Sequence, residues 1–168
     1  APYIVSRYDA TTGELIEVKR RIGILDRKLR VVNENTANEK DWFKWVLRAY
    51  QSVYGYEFQG DNLLIARINL LITFVDYMQD RWNRVPTDTE LKKIVNVIVW
   101  NLWQMDGITG RSPFQKSKKE YQQFSLFDFV VADDAETQSE DELSEMYCRI
   151  YDWRSDRSLT YISMKEGK

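Results

Sequence analysis

From Leu63 to about Trp82 the chain is apolar nearly all round, with Leu63, Leu64, Ile65, Ala66, Ile68, Leu70, Leu71, Ile72, Phe74 and Val75 in close succession. A helix of that kind has no stripe to give to water and belongs at the centre of a layered core. No apolar run approaches the ~20 residues of a membrane span, so the cover must come from the rest of the chain. A length of 168 residues with 43% apolar content suffices for one domain over 1–168.

The flanking segments read as the elements that supply this cover. Ile22, Leu25, Leu29 and Val32 recur at helical spacing, which predicts a helix over about 23–33. After the polar break 33–38, Asn38 can cap a helix over about 41–52 that carries Trp42, Trp45, Val46, Ala49 and Tyr50 on one face. Ser52–Phe58 reads as a buried strand. Gln59–Asn62 makes the turn into the long helix, with Asp61 as its candidate cap. Pro86-Thr87-Asp88 opens another helix with Leu91, Ile94, Val95 and Ile98 inward. Near the start, Asp9–Glu14 is a turn, and a hairpin or a loop excursion fits it equally well. Tyr147–Arg154 alternates as a strand does.

Several chemistries are excluded by what the chain lacks. It has no histidine, which removes imidazole bases, Ser-His-Asp triads and the commonest zinc ligand, and no metal is expected. The single cysteine, Cys148, permits no internal disulfide and has no histidine to activate it as a nucleophile. With no visible signal peptide, these features suit a cytoplasmic protein. The formal net charge is -2 and the pI about 5.4, so any contact with DNA must be local or shared with a partner. Gln115–Glu120 is a solvated basic patch, Phe124–Val131 an apolar island, and residues 132–145 an acidic linker or loop.

One constellation carries functional information. Tyr54-Gly55-Tyr56-Glu57-Phe58 leads through Asp61-Asn62 into Leu63–Leu71. A strand that ends in an acid and feeds a helix is how doubly wound folds hold a nucleoside, the carboxylate accepting hydrogen bonds from ribose hydroxyls. Glu57 is that acid, and Gly55 allows close packing where a larger residue would intrude. Further on, Asn101–Met105 leads into Asp106-Gly107, an arrangement that is also an ordinary turn.

Residues 53–71 resemble the second conserved motif of adenine-N6 DNA methyltransferases of restriction–modification systems. Asn101–Ile108 is similar to that family's third motif, and Ala1–Val5 to the tail of its first. The resemblance implies a partial Rossmann-like α/β fold, a small mostly parallel sheet flanked by helices, with Tyr54–Phe58 central. It also implies S-adenosylmethionine as cofactor: Glu57 on the ribose, Phe58 beside the adenine, Asp106 at the adenine amino group. Partners would be DNA, or a second subunit.

The chain departs from the family at the catalytic tetrapeptide. That motif needs two adjacent prolines, and Pro2, Pro86 and Pro113 stand apart. Ser112-Pro113-Phe114 lacks the second proline. Cys148–Trp153 resembles the stretch that precedes the tetrapeptide, and the first motif's glycine loop would lie before Ala1. No catalytic residue is therefore assigned. Three readings stay open: a catalytically incomplete methyltransferase module, a non-catalytic phage or mobile-element protein, or a structural domain of a larger assembly whose tryptophans form a subunit interface. The second would inhibit a host restriction or CRISPR nuclease, its acidic surface meeting the basic surface of that nucleic-acid-processing protein.

Overall fold

The computed structural model describes residues 4–113 and 147–165. The basic patch, the apolar island and the acidic stretch, on which the inhibitor reading rests, lie outside the described residues. The elements are α1 (Ile24–Asn35), α2 (Glu39–Gln51), β1 (Gly55–Glu57), α3 (Gly60–Trp82), α4 (Asp88–Asn101), β2 (Leu102–Gln104), β3 (Arg149–Asp152), β4 (Arg157–Thr160) and α5 (Tyr161–Lys165), with a single 3₁₀ turn at Val18–Arg20. The fold is mixed α/β.

Two of the helix starts follow from their capping residues. Asn38 accepts a hydrogen bond from the Asp41 amide, and Thr87 and Glu90 form a reciprocal capping box at the head of α4. Asp61 does not cap α3. The helix begins one residue earlier, at Gly60, with Gln59 in the cap position and no side-chain cap bond. Asp61 stands in the first turn, where a carboxylate still complements the helix dipole.

β1 and β2 pair in parallel, Gly55 with Leu102, Tyr56 with Trp103 and Glu57 with Gln104, so α3 and α4 together form the crossover between them. β3 and β4 form a separate antiparallel hairpin. The expected strand over Ser52–Phe58 is shorter than its apolar run, and it is only half-buried. Nor is β1 central among the described residues, where its sheet has two strands and each is an edge. Tyr8 and Leu15 make an isolated bridge across the early turn.

α3 is also less enclosed than its composition suggests. Its buried residues include Leu63, Ala66, Leu70, Phe74 and Tyr77, but Leu64, Ile65 and Ile68 are about half exposed at 58%, 55% and 46%. Two strands are too narrow to cover the whole circumference of a helix beside them. Trp45 (53% exposed), Ile22 and Val95 likewise face outward. On α1 and α4 the inward positions are Leu25, Leu29, Ile94, Val97 and Ile98. Among the described residues no helix is long and apolar enough to cross a membrane.

The hairpin is tied to the helical body by one buried amide. The Asn101 side-chain nitrogen donates to the backbone carbonyls of Tyr50 (3.0 Å) and Val53 (2.9 Å). Its oxygen accepts from the Trp153 indole at 2.6 Å. Trp100, Tyr151 and Trp153 form a chain of ring contacts at 5.2 and 4.6 Å, and the Tyr54 hydroxyl donates to the Tyr151 carbonyl at 2.8 Å. Asn101→Leu keeps the volume but strands these groups, each a cost of roughly 1–3 kcal/mol. We expect a loss of at least about 2 kcal/mol in urea unfolding; a change under about 0.5 kcal/mol would show that the amide is not the tie.

Candidate functional site

The carboxyl ends of β1 and β2 lie side by side, because parallel pairing sends both strands the same way. Glu57 closes β1, and the ladder continues one step as the Met105 amide donates to the Glu57 carbonyl at 3.1 Å. Asp106 follows immediately. The structure therefore brings Glu57 and Asp106, about fifty positions apart in sequence, to one edge.

Each carboxylate has local work. One Glu57 oxygen accepts the Gln59 amide at 3.1 Å, and the other has no partner among the described residues. One Asp106 oxygen accepts the Ile108 amide at 2.8 Å, while the Asp106 carbonyl accepts the Gly110 amide at 2.7 Å. Asp106 thus shapes the turn that follows β2, as the Asp-Gly pair allows. Phe58 is 56% exposed at the same edge. Its ring stands clear of the core.

Gly55 lies at the opposite end of β1, paired with Leu102, and lines no part of this edge. A Cβ there would sit 3.0 Å from the Ile4 side chain, so the residue admits the chain's opening segment against the strand. The close packing expected of Gly55 is thus made behind the strand, against Ile4.

Two residues at this edge escaped the sequence reading. The Gln104 amide donates to the Phe58 carbonyl at 3.2 Å and spans the gap between the strand ends. Position 104 is the register partner of Glu57, a relation visible only once the strands are paired. Tyr161 stacks edge-on against Tyr56 at 5.0 Å and donates its hydroxyl to the Gly107 carbonyl at 2.9 Å. Gly110 makes that approach possible. Its φ is +71°, and a Cβ would meet the Tyr161 ring at 2.6 Å.

Cys148 lies nearby but is buried, and burial pushes its thiol up from the usual range, the reverse of what a nucleophile needs. Among the described residues no group of three or more Cys, Asp or Glu side chains is placed to hold a metal ion. Comparison with protein-family models, with curated proteins and with solved structures finds no match.

Proposed function

We propose that the paired strand ends form a nucleoside-binding edge, and that the chain is an S-adenosylmethionine-binding module akin to adenine-N6 DNA methyltransferases of restriction–modification systems. The observation that carries this reading is the placement of Glu57 and Asp106 at the adjacent carboxyl ends of two parallel strands joined by a helical crossover. Ligands of open α/β sheets bind just outside that edge.

The residues present fit a nucleoside. The unpartnered oxygen of Glu57 can accept from a ribose hydroxyl, and the exposed Phe58 ring offers a face for the adenine. Asp106 stands two residues past the second strand, where an acceptor can meet the adenine amino group. Gln104, tethered to the Phe58 carbonyl, closes the floor between them. S-adenosylmethionine, when bound, would supply a transferable methyl group. The chain has no adjacent prolines, so base positioning and transfer are not assigned to its residues, and a second subunit or another segment would provide them.

Titration calorimetry of the whole chain with S-adenosylmethionine and S-adenosylhomocysteine tests this. Hydrogen bonds to a charged group contribute about 1.5–3 kcal/mol each, so Glu57→Ala should weaken binding by roughly 10- to 100-fold. Asp106→Asn keeps an oxygen for the Ile108 amide and should cost less. Absence of heat with either ligand, or an unaltered affinity in Glu57→Ala, rejects the proposal.

A further inference from the structure

A second feature lies near the far end of α3, about twenty residues of helix from the strand ends. A cleft of about 580 Å³ opens between the 3₁₀ turn, α1 and α3, within the range of small-molecule sites. Its walls are built by helical periodicity. α1 contributes Arg30, Asn33 and Glu34, and α3 contributes Tyr77, Asp80 and Arg81, each an i, i+3, i+4 set. Lys19 and Val18 come from the turn.

Three of the donor side chains in this cleft, Arg30, Arg81 and Asn33, are held in place. Arg30 spends one nitrogen on the Arg21 carbonyl at 2.6 Å, and Arg81 spends one on the Thr36 carbonyl at 3.1 Å. The Arg81 guanidinium also lies 5.2 Å from the Trp82 ring. Asn33 is fixed through its oxygen, which accepts the Trp42 indole at 2.6 Å. The remaining guanidinium nitrogens, the Asn33 amide nitrogen and the Lys19 ammonium have no hydrogen-bond partner among the described residues. Anchored forks with spare donors are pre-organised for an oxyanion.

Glu34 and Asp80 share the cleft and form no ion pair with its three cations. They disfavour a bare anion and favour one that brings its own donors. We infer that this cleft is a phosphate-ester site, Lys19, Arg30 and Arg81 taking the phosphate while Glu34 and Asp80 accept from hydroxyl or amino groups of the same ligand, as a nucleotide offers. The ester can be a free nucleotide or part of a nucleic-acid strand. On a chain of net charge -2, such a local cluster is where phosphate contact would concentrate.

The test titrates the whole chain with inorganic phosphate, adenosine 5′-monophosphate and a short DNA duplex. The mononucleotide should bind more tightly than phosphate, and Lys19→Gln and Arg81→Gln should each weaken it by about tenfold, or 1.4 kcal/mol. The Lys19 side chain is exposed and has no hydrogen bond or ion pair among the described residues, so its variant reads binding without a folding defect. Duplex binding with a log–log salt slope of about −2 to −3 identifies a strand as the source of the ester. Saturation by the mononucleotide, with no competition from duplex, identifies a free one. In a Glu57→Ala background, which weakens the strand-end site, the mononucleotide should still bind and the two cleft variants should weaken it by the same factor, which separates the cleft from the strand-end site. No binding of any probe, or unaltered affinity in both cleft variants, overturns the inference.

Discussion

Asp76→Ala is expected to remove about 3–5 kcal/mol of folding stability, the range seen when one partner of a buried ion pair is deleted. Arg21 is 1% exposed. Its guanidinium donates to Asp76 at 2.8 Å and to the Ile16 carbonyl at 2.9 Å, and its third nitrogen is buried with no partner among the described residues. Arg7 donates to the same Asp76 oxygen at 2.8 Å. Without Asp76 one buried cation and one nearly buried cation lose their ion-pair partner among the described residues. For a chain of this length the melting temperature should fall by roughly 6–20 °C. Asp76→Asn, which keeps an acceptor but not the charge, should fall between. Loss of less than about 1 kcal/mol in urea unfolding would show that solvent reaches Arg21 in the folded state.

Phe74→Ala should cost a similar amount, about 3–5 kcal/mol, for a different reason. The Phe74 ring is fully buried at the meeting point of α2 and α3, with centroids 6.3 Å from Trp42, 5.9 Å from Phe43 and 6.4 Å from Tyr50. Alanine leaves a cavity lined by three large rings, none of which can turn inward without giving up other contacts. Trp42, for one, is pinned by its bond to Asn33 and by an edge contact with Trp82 at 6.3 Å. Trp45→Ala is the control. That side chain is more than half exposed, and its removal should cost under about 1 kcal/mol despite the larger volume deleted. Equal losses for the two variants would contradict the packing described.

The contrast between Trp42 and Trp45 shows what sequence could and could not give. Both fall on the apolar side of the same helical pattern, and only the placement of the helices packed around α2 decides which is covered. Exposed Leu64, Ile65 and Ile68 make the same point for α3 itself, whose composition promised burial on every side. The candidate site was legible in part. Glu57 and Asp106 each stand after an apolar run and before a turn, which is a local signal. Gln104 and Tyr161 carry no such signal, because one depends on strand register and the other on a segment more than fifty residues away.

By itself the sequence determined the four long helices, the caps of two of them and the turn after β2, since periodicity, caps and an Asp-Gly pair act within a few residues. It also ruled out histidine chemistry. Tertiary structure alone decided that two carboxylates share one edge, that Arg21 is neutralised from position 76, and that α1 and α3 enclose a charged cleft. Those outcomes depend on which surfaces pack together. A helical pattern states how much of a face is apolar, whereas the neighbour that covers it is chosen by shape and chain connection over distances the pattern does not encode.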